Sequence, residues 1–452
     1  MVYEKFENNL HAAPPAVRSS EPVEIELSEE PLLLNQPFFV EELEEELVVK
    51  KPETEGSSSL FSATANYVNS IVGAGIIGLP YAFSRSGLWV GIPLLIFLAW
   101  LSDHSARLLV KVGVGVNKHT YNDVCEHAFG RFGRAGALFL MFIFSAGCMF
   151  AYMLVLGDTL PVVFRAWITD HGLLANREFV LVFGSVVGML PLCLKKDIHH
   201  LAHSSAISFG CAVIIALSVM IRAPAAAHAK GISVQKYPDA FRVIKTPGGA
   251  FQAIGIIAYA FVSHHICFIV YGSIKDKSPD KWTKVVHSAI LLSLVLFLAF
   301  ASIGYAFFLD EVRADILLNF PENDQLINVI RLVMAVHMLF VYPVEFFVCR
   351  ESIASAVWGS KEISKAKHVT LTLVMFSTSL IGACFVQDLA VVFEFIGGLA
   401  ACAVGYVVPA ALDVKLQPGK LLSKERMLSL ALVVVGLLGA ISSEWSSISA
   451  RL

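Results

Sequence analysis

Charge is scarce in this chain. Asp, Glu, Lys and Arg make up 16% of its 452 residues, against about 25% in ordinary soluble domains. Alternating strands of about ten residues are absent, which excludes a transmembrane barrel. No Asn-x-Ser/Thr sequon occurs, and of the eight cysteines all but Cys125 lie in or at the end of apolar spans. Both lacks argue against a disulfide framework and a heavily glycosylated cell-surface protein. The N-terminus has neither the basic start nor the apolar core of a signal peptide. Lys195-Lys-Asp-Ile-His-His-Leu-Ala-His203 resembles a histidine box. Membrane di-iron enzymes need several such boxes, so this one reads as a wet cytoplasmic loop. No assembled metal or nucleophile site stands out, so neither an enzyme nor an organic cofactor is expected.

What the chain has is apolar length. It is 56% hydrophobic, with a mean hydropathy of +0.68. Continuous runs of roughly 18 or more nearly uncharged residues can cross ~30 Å of hydrocarbon. Eleven spans are predicted, at 62–86, 88–111, 134–165, 178–194, 201–221, 250–273, 284–309, 326–349, 368–386, 388–411 and 425–443. They make up a transporter-sized membrane domain over 59–443, with a short tail at 444–452. Residues 1–58 differ: fourteen Glu stand against four Lys and Arg, with prolines and no helical period. That composition reads as a disordered acidic tail.

Lys and Arg set orientation. The loops after spans 2, 4, 6, 8 and 10 hold roughly 19 of them, the opposite set about 10. The richer set is cytoplasmic, which puts the N-terminus in the cytoplasm and the C-terminus in a lumen or outside. An odd number of spans fits five plus five plus one, since an odd-numbered repeat inserts upside down the second time.

Two spans carry residues that a membrane helix tolerates poorly. Span 1 reads Asn69-Ser-Ile-Val-Gly-Ala-Gly-Ile-Ile-Gly-Leu-Pro80. Gly73, Gly75 and Gly78 each weaken a helix by about 1 kcal/mol relative to Ala, and Pro80 removes a hydrogen bond. The pattern suits either close helix packing by small residues or a helix unwound around Gly73, Ala74 and Gly75, facing a protein-lined cavity. Asn69 and Ser70 favour the break. Span 6 places Phe261, Ser263, His264 and His265 at mid-depth. Intramembrane histidines are costly and point to function, with hydrogen bonding between helices as the plain alternative.

These residues resemble the amino acid/auxin permease family. The span 1 segment and Tyr259-Ala-Phe-Val-Ser-His264 look like its signatures. Tyr152 with Leu156-Gly-Asp-Thr-Leu-Pro161, and Tyr342-Pro343-Val-Glu345 with Arg350-Glu351, support the match over residues of about 60 to 443. Within the family the chain is similar to the sodium-coupled neutral amino acid transporter and fungal vacuolar amino acid transporter branches. The resemblance implies an all-α membrane fold of eleven helices, a 5+5 inverted repeat (LeuT-like) plus one, with helices 1 and 6 broken. It implies a small neutral amino acid bound at the breaks, carried by alternating access. Gly73, Ala74, Gly75, Tyr152, Phe261, Ser263 and His264 are the expected substrate-binding residues.

The coupling ion is read from span 8. The resemblance to sodium-coupled members implies Asn69 in span 1 and hydroxyls two and four residues before the span 8 proline. Here those positions are Val341 and Leu339, which cannot ligate a hard cation. His337 and Glu345 lie in the same span, and an imidazole or buried carboxyl can toggle near neutral pH. Proton coupling is therefore expected, with sodium as the alternative. Asn69, His264, His265, His337, Glu345 and Glu394 are the coupling candidates. Asp158 reads as structural, and Arg331 as a side chain that snorkels from the start of span 8.

Glu29-Glu-Pro-Leu-Leu33-Leu34 fits an acidic dileucine sorting pattern. It suggests sorting adaptors as partners beside the lipid bilayer, and a vacuolar, lysosomal or other endomembrane location. Nucleic acid is not an expected partner. A sensor of amino acids and a channel are the rival readings.

Overall fold

A computed structural model describes residues 56–168, 171–195, 202–232, 247–359, 363–386, 388–417 and 424–449. The dileucine pattern, the tail before Gly56 and most of the histidine box lie outside them.

The described chain is helical. Helix α1 (Leu60–Ile71) begins where the Ser59 hydroxyl accepts the Ser62 N–H at 3.1 Å, an ordinary N-cap. Helix α2 (Gly75–Ser86) follows at a 52° bend. Next come α3 (Leu88–Gly115) and α4 (Tyr121–Trp167). Helix α4 kinks at Gly130, whose φ of 64° a residue with a side chain would adopt only under strain. Helix α5 starts at Arg177, turns π-helical over Ser185–Met189 and ends at Cys193. Then follow α6 (Ala202–Ala229), α7 (Pro247–Phe261), α8 (Cys267–Ser273) and α9 (Pro279–Phe308). The series ends with α10 (Gln325–Trp358), α11 (Lys365–Phe385), α12 (Leu389–Leu416, with two π-helical stretches) and α13 (Lys424–Ser449).

Among the described residues, nine helices are long and apolar enough to cross a membrane, or as many as ten if the bent pair α1–α2 is one span. The eleventh expected span is α5. Its pieces total 17 residues, about 25 Å at helical rise, short of the ~30 Å hydrocarbon thickness.

Burial separates centre from periphery. In the apolar window of Gly248–Ser273, 89% of residues are buried inside the protein, against 28% in Arg426–Ser449. The α7–α8 segment is thus central and α13 peripheral. Large apolar side chains such as Trp89, Phe139, Ile221, Leu291 and Leu438 remain 60–71% exposed on the outside of the bundle, as lipid-facing surface requires. Helix α7 packs along α2, and α10 lies along α4. These two pairings bring the interruptions of spans 1 and 6 face to face with spans 3 and 8.

The chain before α1 is also placed. Ser58 N–H donates to the Ser273 carbonyl (2.9 Å), and Lys275 N–H donates to the Ser58 carbonyl (3.0 Å). The tail expected to end at residue 58 is therefore fixed from Gly56 onward, by backbone bonding to the exit of α8.

Candidate functional site

The first interruption covers Val72, Gly73 and Ala74. Val72 leaves helical geometry at φ −87°, ψ 69°. Gly73 N–H then donates to the Ile71 carbonyl at 3.0 Å in a tight three-residue turn. Pro80 sits well inside α2 rather than at the break, so the glycines and not the proline mark where the helix opens. A side chain at Gly73 would put its Cβ 2.9 Å from the Tyr152 hydroxyl oxygen. Tyr152 therefore reaches over the break. Gly75 has a different neighbour: a Cβ there would fall 2.8 Å from the Ala260 Cα. Its missing side chain serves the contact between α2 and α7, the packing use of small residues.

The second interruption covers Val262 and Ser263, followed by one 3-10 turn, His264–Ile266. Ser263 has φ −133° and ψ 22°. Its carbonyl accepts the Ile266 N–H at 3.2 Å and the Cys267 thiol at 3.8 Å. The next two side chains point to different helices. His264 Nε2 lies 2.8 Å from the Ser105 hydroxyl of α3, and its ring is edge-on to Tyr406. His265 Nε2 lies 2.9 Å from Glu345 Oε1 of α10, with both side chains almost fully buried.

Two expected coupling residues thus form one pair. The His265 ring also packs on Phe144 at 5.1 Å, and Phe144 lies 6.0 Å from Tyr259. Phe144, Cys148 and Tyr152 recur every four residues on α4, so one stripe of that helix faces both interruptions. His337 accompanies the first break: its Nδ1 lies 2.8 Å from the Ser208 hydroxyl, and its ring faces the Val72 backbone. Asn69 is buried two residues before α1 ends, and its Oδ1 has no hydrogen-bond partner among the described residues. The same holds for His265 Nδ1, His337 Nε2 and Glu345 Oε2. So many unsatisfied buried polar atoms around two opened helices mark a place built to receive something polar.

Not every expected residue joins this centre. Phe261 packs its ring on Phe297 of α9 at 5.1 Å. Glu394 is fully buried on α12 rather than near outer water. Its backbone carbonyl abuts Gly255 of α7 beside Ser443 of α13. Asp158 is paired with Arg177 at 2.7 Å, a structural use. Arg331 does not snorkel. It is 1% exposed, bonds Asn328 Oδ1 at 2.6 Å, and donates to the Leu317 and Phe320 carbonyls at 2.8 and 3.1 Å. The 309–324 connection closes over it and supplies the acceptors that water would have given.

Sequence reasoning passed over Ser105, Ser208 and Phe144. Serines inside apolar helices are common, and nothing local tells which will meet a histidine. The four-residue stripe on α4 was the available signal for Phe144.

The chain matches the family model described as transmembrane amino acid transporter protein over residues 56–449. It is 33% identical over 383 residues to the "Putative sodium-coupled neutral amino acid transporter 11" of Danio rerio, covering 84% of each chain. It is 28% identical over 389 residues to vacuolar amino acid transporter 2 of Saccharomyces cerevisiae, covering 83% of this chain and 80% of that one. In fold it is similar to MhsT in complex with L-phenylalanine, with a TM-score of 0.57 at 11% identity, covering 87% of this chain and 99% of that one. A match spanning nearly the whole described chain, on a bundle of apolar helices, leaves one conclusion: the chain belongs to the transmembrane amino acid transporter protein family, and it is a membrane carrier, not an enzyme.

Proposed function

We propose that this carrier moves small neutral amino acids by alternating access, driven by protons, in a vacuolar, lysosomal or other internal membrane. Its eleven spans then form two inverted five-helix repeats plus one, with α1–α2 and α7–α8 as the broken first helices of each half. The N-terminus is cytoplasmic and the C-terminus luminal. The observation that carries this reading is the meeting of the two interruptions around Tyr152 and the His265–Glu345 pair.

The chemistry follows from the ends of half-helices. The start of α2 offers unpaired N–H groups and a partial positive charge, which suit a carboxylate. The Val72 carbonyl, and the second lone pair of the Ile71 carbonyl beside the Gly73 N–H, suit an ammonium group. The Tyr152 hydroxyl over Gly73 closes the site on one side. A neutral side chain needs no counter-charge and can rest on apolar walls such as Phe144 and Tyr259.

Proton coupling is favoured by what stands beside the breaks. The position facing the Val72 backbone is held by the imidazole of His337, not by a hydroxyl ligand. The His265–Glu345 pair bridges span 6 to span 8 at 2.9 Å, an ionisable contact between two parts that must separate in alternating access. Sodium coupling is the second reading, favoured by the unpartnered Asn69 Oδ1. Reconstituted uptake of single amino acids under an imposed proton or sodium gradient separates the two. Accumulation driven only by sodium would remove the proton reading and leave the carrier. Removing residues 1–55 tests a sensor instead, because a carrier keeps its flux. The dileucine pattern would recruit sorting adaptors, which localisation of a Leu33→Ala, Leu34→Ala variant checks.

A further inference from the structure

Away from the helix breaks, the last turns of α4, the start of α5, the α9–α10 connection and Arg331 of α10 line an open recess of about 260 Å³. Four arginines line it, Arg165, Arg177, Arg313 and Arg331, against two acids, Asp158 and Glu322. Both acids are already engaged. Asp158 Oδ1 takes Arg177 Nε at 2.7 Å, and Glu322 takes Arg165 Nη2 at 2.8 Å. Two guanidinium charges remain over. Arg331 spends its Nη groups on neutral acceptors, namely Asn328 and three backbone carbonyls. Its Nε is buried without a partner, as is Arg177 Nη2. Arg313 makes its hydrogen bond through the backbone, to Asn319 Oδ1, and its side chain has no ion pair among the described residues. Arg313 is exposed to solvent, so the unsatisfied donors are Arg331 Nε and Arg177 Nη2; buried donors of that kind, in a recess lined by two more guanidinium groups than carboxylates, are a receptor for an anion.

We propose that this recess is a binding site for a small oxyanion, a carboxylate or inorganic phosphate, held by Arg177, Arg313 and Arg331. Guanidinium forks match the paired oxygens of either group. The volume admits a carboxylate with a small substituent, or one phosphate with water.

A neighbouring carboxyl tunes the site. Asp315, in the α9–α10 connection, is 2% exposed; one of its oxygens accepts the Leu317 N–H at 2.9 Å and the other has no partner. Burial and the nearby Asp158 carboxylate push it up to about 7, while the Leu317 N–H and Arg331 pull the other way. Ionised, Asp315 offsets the charge of Arg331. Protonated, it leaves that charge to the recess. Anion binding therefore tightens as pH falls through neutrality.

The test uses the full-length protein in lipid nanodiscs, with thermal stability followed against inorganic phosphate or acetate at constant ionic strength. A saturable rise in melting temperature is expected with either anion; with acetate, whose charge is constant over this range, it is larger at about pH 6 than at about pH 8. Arg313→Gln should weaken apparent affinity about tenfold, the loss of roughly one charge-assisted contact, and Arg313→Lys should recover part of it. Asp315→Asn should hold affinity at the low-pH level throughout. Displacement of phosphate by a neutral amino acid identifies a substrate carboxylate as the occupant, and failure to displace identifies a free anion. No saturable shift in the unmodified protein, or an equal shift in Arg313→Gln, overturns the site. Should Arg313→Gln fold poorly, Arg177→Lys carries the same comparison. None of these readings uses transport, so they stand apart from the carrier hypothesis.

Discussion

The two interruptions reach the same end by opposite means. The first is made of small residues, with Gly73 and Gly75 flanking Ala74, and it turns the chain by 52°. It offers backbone. The second contains no glycine; it opens at Val262 and Ser263 and immediately presents two histidines. It offers side chains, each committed to a different neighbouring helix. A glycine break brings peptide groups close to a ligand, whereas a histidine break ties local geometry to protonation. On the function proposed above, the first would hold the zwitterion and the second would respond to the driving ion.

The sharpest way to break this comparison is Gly75→Leu. The added atoms meet the Ala260 backbone, which cannot swing aside. Uptake in reconstituted vesicles should fall to background while membrane insertion persists, because overpacking costs of about 1–3 kcal/mol fall on the close contact between α2 and α7 beside the first break. Glu345→Gln comes next. It keeps a hydrogen-bonding partner for His265 but removes the ionisable carboxyl, so uptake driven by a pH gradient should drop about tenfold or more while exchange at equal pH survives. If the variant still responds fully to the gradient, the pair is only structural. Gly73→Ala should have a milder effect than Gly75→Leu, since the added methyl meets the mobile end of Tyr152. Pairing it with Tyr152→Phe should restore part of the lost affinity, and a lack of rescue in a double-mutant cycle would separate Tyr152 from the break.

The smallest effect lies outside both breaks and serves as their control. Asp315 is pushed up to about 7, above the ordinary carboxyl range of about 4. The folded state therefore holds its proton where the unfolded chain has lost it, and stability declines as pH rises from about 4 through 7. Asp315→Asn should flatten that decline in thermal melts. An unchanged slope would place the responsible group elsewhere.

The sequence made the interrupted helices legible because glycine, proline and histidine are conspicuous against apolar residues. The break fell at Gly73, where the glycines are densest. Pro80 lies inside α2, since a proline within a helix removes one hydrogen bond but does not by itself stop the helix. The partners of the histidines were hidden, since His265 meets Glu345 across 80 positions and only tertiary packing chooses it. Arg331 was misread because snorkelling assumes water at the helix end, and here the connecting segment takes that place. The span at α5 was legible as apolar, but its π-helical turn and short pieces were not, because a hydropathy run does not record hydrogen-bond register.

The paired strand-like contact between Ser58 and the exit of α8 has a mechanical meaning. Two amide links clip the outset of the first span to the finish of the sixth, so those two rods cannot part at that end until the clip is undone.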